Sequence, residues 1–262
     1  MVCFPLAVDA VLSEIYEMFR HQGITRSSSH NLQIATLLSF VAGSVNVAGF
    51  LAVARLTTNV TGHFAFLIGD VYNSNWKEAG LYVAFLLFFL AGAFTSTSVV
   101  EFVRRRDEQH MYVVPALLEA LLLLSVGLLG SYLMAWNPNL IAFCLLFAMG
   151  LQNALVTKVS RAVVRTTHLT GLFTDLGIEL SQLLYYRKEK EKRVLWTSIR
   201  LRLRIILFFF LGGVSAAMLF GLIGLHTLFI GAGCLFFGIF YDEFRFRISR
   251  KIPVEKGPAL LK

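Results

Sequence analysis

The sequence predicts an all-α, polytopic transmembrane helix bundle of six spans plus two short non-spanning or broken helices, organised as an inverted 3+3 internal repeat. Three observations carry that prediction. Apolar residues make up 56% of the 262 residues and the mean hydropathy is +0.68, far more apolar surface than a soluble domain of this size buries. The apolar residues fall into six long runs separated by short basic or turn-rich stretches. A hydroxyl-rich polar motif, Thr57-Thr58-Asn59-Val60-Thr61-Gly62-His63, returns as Thr166-Thr167-His168-Leu169-Thr170-Gly171, each copy following one apolar run and opening a short amphipathic one.

Residues 1–31 read as a cytoplasmic segment. Leu6, Val11, Leu12, Ile15 and Phe19 oppose Asp9, Glu14, Glu17 and Arg20, the pattern of an amphipathic helix lying on a membrane surface. No basic stretch leads into an apolar one, so a cleavable signal peptide is not expected.

The spans are expected at about Leu32–Val53, Gly80–Val103, Met111–Ala135, Leu140–Val156, Ile205–Leu225 and Thr227–Tyr241. Most reach the ~20 residues that carry a helix across ~30 Å of hydrocarbon; the fourth and sixth need an extra turn. Pro115 alone falls inside a run, in its first turn, where proline costs little. Between spans, Thr61–Tyr72 and Thr170–Tyr186 are too short or too polar to cross. The first would rise only ~18 Å as a helix; the second sets Asp175, Glu179 and Gln182 against Leu172, Phe173, Leu176, Leu180 and Leu183, a helix with one wet or protein-buried face.

Charge decides the topology. If these two segments do not cross and the N-terminus is cytoplasmic, then Arg104-Arg105-Arg106, Lys158, Arg161, Arg165, an inner loop from Arg187 to Arg204, and the tail with Arg245, Arg247, Arg250 and Lys251 all lie inside, leaving only Arg55 and Lys77 outside. That obeys the positive-inside bias; letting both segments cross breaks it. The first motif-bearing span then runs outward and the second inward. The domain division is 1–31, a transmembrane domain 32–241 (repeat one 32–135, repeat two 138–241), and a basic cytoplasmic tail 242–262. Inverted repeats with broken helices are a transporter architecture, and irregular backbone at membrane depth requires burial in protein or a water-filled cavity.

Aligned, the halves read Gly-x-x-Asn (Gly43, Asn46; Gly150, Asn153), Thr-Thr, then Thr-Gly, with Phe64, Leu67 and Asp70 answering Phe173, Leu176 and Glu179. A helix start leaves backbone N–H groups without intrahelical partners and adds partial positive charge, which suits a polar or anionic group. A substrate site is therefore expected from Asn46, Thr57, Thr58, Thr61, Gly62, His63, Gln152, Asn153, Thr166, Thr167, His168, Thr170 and Gly171. The other reading of the same residues is packing: Thr and Asn bond between membrane helices, the glycines permit close approach, and Thr61 and Thr170 cap their helices.

Proton-coupling candidates are Glu119, Asp70 and Glu179. A carboxylate inside a span is costly unless paired: Glu119 either relays protons, reaches the inner interface, or bonds Arg105 or His110. Asp70 and Glu179 lie ~13 Å along their helices from the motifs, at a mouth rather than a centre. His63 and His168 are the titratable groups nearest the motifs. Cys3, Cys144 and Cys234 lack ligand or disulfide spacing and read as free thiols. The net charge of +8 resides in loops between spans, which excludes a nucleic-acid reading. No metal site, cofactor motif or enzyme pattern is present, so no cofactor and no enzyme activity are expected. Expected partners are membrane lipid and a small polar or anionic solute, with a homo-oligomer compatible with the sequence.

On Val41-Ala42-Gly43-Ser44-Val45-Asn46, Thr61-Gly62, Phe147-Ala148-Met149-Gly150-Leu151-Gln152-Asn153-Ala154 and Arg165-Thr166-Thr167-His168-Leu169-Thr170-Gly171, the chain resembles the YoaK-like family of bacterial inner-membrane proteins, over about residues 33 to 241. The resemblance implies a multi-pass inner-membrane protein and no established activity. Two departures stand out: Asn46 where the family commonly has Asp, and Thr61-Gly62-His63 where it has Thr-Gly-Asn. The expected function is a small-solute secondary transporter or carrier with a central polar site; the alternative is a non-transporting scaffold or assembly protein whose Thr, Asn and Gly motifs pack helices.

Overall fold

A computed structural model describes Phe19 and residues 28–251. The surface helix expected in the N-terminal segment and the end of the basic tail lie outside the described residues. All regular structure among the described residues is helical: α1 (Ser28–Val53), α2 (Val60–Tyr72), α3 (Trp76–Arg104), α4 (Val113–Trp136), α5 (Pro138–Ser160), α6 (Leu169–Tyr185), α7 (Glu189–Ile223), a single 3-10 turn (Gly224–Thr227) and α8 (Leu228–Lys251). Among the described residues five stretches are long and apolar enough to cross a membrane: Ser29–Val53, Trp76–Arg104, Val113–Trp136, Pro138–Ser160 and Glu189–Phe244. The last contains α7, the 3-10 turn and most of α8.

Helix ends follow local chemistry. Asn137 caps α5 through its side chain, accepting from Asn139 N at 3.0 Å, with Pro138 in the first helical position, where the missing N–H costs nothing. Arg161, in the left-handed conformation, closes α5. Gly224, with φ +55, breaks α7 from α8, a conformation that glycine adopts without steric cost.

Two boundaries differ from the sequence expectation. The basic stretch expected as a loop from Arg187 to Arg204 is helical from Glu189 onward, so α7 is 35 residues long. Glu189 and Glu191 occupy its first turn, favourable against the helix dipole, and pair with Lys192 and Lys188 at 3.5 and 3.4 Å. Leu195, Ile199 and Leu201 bury an inward stripe. Likewise α8 continues past Tyr241 to Lys251, with Arg247 bonded to Glu243 one turn earlier at 2.8 Å. Charge alone marked these segments as wet; it did not mark them as irregular. Cys144 and Cys234 are half-buried free thiols.

Contacts fix the relative directions of the helices. Leu38 O accepts from Gln152 Nε2 at 2.7 Å, while Gly49 lies against Leu145 farther along, so α1 and α5 run antiparallel. Leu32 shares a groove with Leu201, and Val47 lies against Gly213, so α1 and α7 run parallel. In the same way Gly92 abuts Phe147 and Glu101 bonds Lys158, making α3 and α5 parallel. Leu123 against Gly231, Gly127 against Phe229 and His110 near Glu243 make α4 and α8 antiparallel.

Four Phe-x-x-Gly segments make the two closest crossings. A Cβ built on Gly43 would collide with the carbonyl of Phe209, and one on Gly212 with that of Phe40; Gly92 and Gly150 stand in the same relation to Phe147 and Phe89. Small residues let membrane helices approach this closely. Buried Leu38, Val41, Leu145 and Met149 fill the centre, while Leu90, Phe94, Leu128, Phe210, Met218 and Phe237 face outward and exposed. Apolar side chains on the outside of a bundle imply a lipid solvent, so the outer faces contact membrane lipid.

Candidate solute site

Each polar motif is pinned to the helix before it. After α1 ends, the chain turns at Ala54 (φ 53), and Asn46 Oδ1 accepts from both Thr58 N at 3.3 Å and Thr58 Oγ1 at 2.9 Å. After α5, Asn153 Oδ1 accepts from Thr167 Oγ1 at 2.7 Å. A backbone N–H can only donate, so Thr58 fixes the Asn46 amide with its oxygen toward the motif backbone and its Nδ2 donors without a partner among the described residues.

The helices then start one residue earlier than expected, and Asn59 and His168, rather than Thr61 and Thr170, occupy the N-cap positions. Asn59 Oδ1 accepts from Gly62 N at 2.9 Å; His168 makes no side-chain cap bond. Both cap side chains fold over the glycine three residues on: a Cβ at Gly62 would meet Asn59 Nδ2 at 2.8 Å, and one at Gly171 would meet His168 Nε2 at 2.6 Å. The Thr-Gly pairs are therefore a second-position threonine and a third-position glycine that gives way to the cap.

Both motif copies line one cavity of about 810 Å³. Asn46, Thr58, Thr61 and Gly62 of the first copy line it together with Asn153, Thr167, His168 and Thr170 of the second. The remaining expected site residues stand behind this lining or beside it. Thr57, Thr166 and Gln152 are fully buried. Gln152 Nε2 donates to Leu38 O at 2.7 Å and to Thr166 Oγ1 at 3.2 Å; Val45 holds the equivalent place in the first half, and Thr57 Oγ1 has no partner among the described residues. His63 is buried against Tyr82 and Phe85, its Nε2 2.7 Å from Leu56 O. A carbonyl can only accept, so Nε2 carries the proton and Nδ1 faces a buried space with no bond. Gly171 carries His168 and does not itself line the cavity.

None of the three carboxylates proposed for proton coupling lines the cavity. Glu179 pairs with Arg202 at 2.9 Å, beside Asp175 at 3.1 Å. Asp70 accepts from Asn75 at 3.3 Å at an exposed helix end. Glu119 is fully buried on α4, and among the described residues neither of its oxygens has a bond. The reading in which Glu119 bonds Arg105 or His110 is therefore not realised; His110 engages Asp107 at 2.6 Å and lies 3.6 Å from Glu243.

The lining also includes Arg165, Leu56, Asn59, Thr157, Phe89 and Phe209, which sequence reasoning did not assign to a site. Arg165 directly precedes Thr166-Thr167, in the place Leu56 holds before Thr57-Thr58, and counting it as a topological charge hid it. Phe89 and Phe209 carry a readable signal: Leu87-Phe88-Phe89-x-x-Gly92 returns as Leu207-Phe208-Phe209-x-x-Gly212. The two half-cavities are thus alike in polar lining and unlike in charge.

Comparison with known proteins bears on membership. The chain is 25% identical over 183 residues, 70% of this chain and 81% of the relative, to the UPF0700 transmembrane protein YoaK of Bacillus subtilis (strain 168). No solved structure matches. A family model described as "Protein of unknown function (DUF1275)" matches residues 34–241, and the chain, an integral membrane protein, belongs to that family.

Proposed function

We propose that the chain is a small-solute carrier, not an enzyme, with six spans in an inverted 3+3 repeat around a central polar site. The observation that carries the reading is the single cavity lined by both motif copies. The repeat reading is supported by paired contacts. α1 against α7 has its counterpart in α5 against α3, through Gly43 with Phe209 and Gly150 with Phe89. The motif-bearing helices α1 and α5 run in opposite directions, and the 3-10 turn divides the longest apolar stretch into two crossings. In this reading α2 and α6 enter without crossing, the termini are cytoplasmic, and the membrane is the bacterial inner membrane.

Transport would proceed by one half rocking against the other about the Gly-lined crossings. An uptake screen of small polar and charged solutes in proteoliposomes tests this: saturable flux that Thr61→Val and Thr170→Val each reduce at least tenfold is expected, and a broad screen without flux counts against it. A second reading, a non-transporting scaffold, is favoured by the Thr58–Asn46 and Thr167–Asn153 bonds, which hold the chain together without a solute. It expects the same two valine variants to lower stability and change no flux.

A further inference from the structure

We propose that the second-repeat half of the cavity is an oxyanion site, suited to a carboxylate, built from the Arg165 guanidinium and the Asn153 amide. This deepens the carrier reading and rests on it for the claim that the bound anion is cargo.

Four observations converge. Arg165 is exposed on the cavity wall and makes no ion pair among the described residues, whereas Lys158 on α5 and Arg202 on α7 are each committed to carboxylates. Among the described residues no Asp or Glu lines the cavity, so none of them neutralises the guanidinium there. Thr167 Oγ1 donates to Asn153 Oδ1 at 2.7 Å, the orientation that a backbone N–H imposes on Asn46 in the first half, and in it the Asn153 Nδ2 hydrogens have no partner among the described residues. Thr157 and Thr170 add hydroxyls to the same wall, and α6 begins there with no side chain accepting from its first-turn N–H groups. A planar guanidinium and an amide lining one cavity offer the N–H donors that a carboxylate accepts.

The first half serves as an internal comparison. It has the same Asn–Thr pair, but Leu56 replaces Arg165, and Asn59 satisfies a first-turn N–H of α2. An acceptor-rich anion therefore has a seat in one half only, and the site is polarised although its backbone is duplicated.

The test uses the full chain in nanodiscs of zwitterionic phosphatidylcholine, with sodium benzoate, neutral benzamide and benzylammonium chloride as probes in calorimetric titration. Benzoate is expected to bind saturably, at least tenfold more tightly than either of the others. Arg165→Gln is expected to weaken benzoate at least tenfold, and Arg165→Lys, which keeps the charge and loses the planar fork, to fall between Arg165→Gln and the unaltered chain, which guards against a folding defect. Lys190→Gln, removing one charge from the first turn of α7, nineteen residues before the cavity-lining Phe209, is expected to leave benzoate binding unchanged. Equal binding of benzoate and benzylammonium, no benzoate binding, or full affinity in folded Arg165→Gln overturns the assignment. Repeating the titration in phosphatidylglycerol discs separates two sources of the same chemistry: lost benzoate affinity assigns the seat to a lipid headgroup, retained affinity to a soluble anion, and either upholds an oxyanion site. Benzoate binding without flux leaves the site standing and removes the carrier reading; flux of a neutral solute without benzoate binding does the reverse.

Discussion

At the scale of single residues, the duplicated motif gives pairs of positions that should answer the same substitution differently. Thr57 buries a hydroxyl with no partner, whereas Thr166 receives Gln152 at 3.2 Å. An unsatisfied buried hydroxyl is a cost of roughly 1–3 kcal/mol, so Thr57→Val, similar in shape and lacking that hydroxyl, should leave thermal stability unchanged or raised. Thr166→Val removes an acceptor from a buried amide and should cost about 1 kcal/mol. Thermal unfolding of both variants in one detergent checks the contrast, and equal losses would refute it. The crossing glycines give a second contrast. A methyl at Gly150 would meet the Phe89 backbone, which cannot rotate away, while one at Gly80 meets nothing within 4 Å. Gly150→Ala should lose ~1–3 kcal/mol or more through overpacking. Gly80→Ala should gain as much as ~1 kcal/mol from helix propensity.

At the scale of elements, the two short helices are held by different clips. Arg202 on α7 holds Asp175 and Glu179 of α6, while Arg55, ahead of α2, holds Tyr82 and Glu78 of α3 and lies over the Tyr82 ring at 5.0 Å. Arg202→Ala leaves two α6 carboxylates without their cation, a loss of about 1–2 kcal/mol once partial exposure is allowed for. Hydrogen exchange should quicken along α6 and stay unchanged along α2; Arg55→Ala should do the opposite. Uniform acceleration in both helices would mean that the clips do not act separately. The helices themselves were largely legible, because apolar runs, Pro138 and the Thr-Gly copies each have a local physical cause. What was not legible depended on contacts distant in sequence. The helical state of Glu189–Arg204 comes from an inward stripe and first-turn ion pairs beneath a charge run. The role of Arg165 appears only when α5 and α6 bring it to the same cavity as Asn46 and Thr61. Charge counted for topology could not also reveal where each charge points.

At the scale of the whole molecule, helix directions and charge make the same claim about sidedness, and it can be measured. With α1 parallel to α7 and antiparallel to α5, and α4 antiparallel to α8, the exposed turns at Ser74, Trp136 and His226 belong to one end of the bundle. Those at Glu108 and Arg187 belong to the other. The second end carries Arg104, Arg105 and Arg106 and the basic start of α7, so the positive-inside bias predicts a cytoplasmic face for it. Were α2 and α6 to cross, Ser74 would exchange sides with Glu108 and the arginine triplet would face outward. Single cysteines at these five positions, in a chain with Cys3, Cys144 and Cys234 replaced by serine, can be labelled in intact cells with a membrane-impermeant maleimide. Ser74→Cys, Trp136→Cys and His226→Cys should react from outside; Glu108→Cys and Arg187→Cys should react only after the membrane is opened. Ser74→Cys protected in intact cells, or Glu108→Cys labelled there, would mean that α2 crosses. The opposed directions of the two halves would then be lost, and with them the geometric reason for a solute to meet both motifs in one cavity.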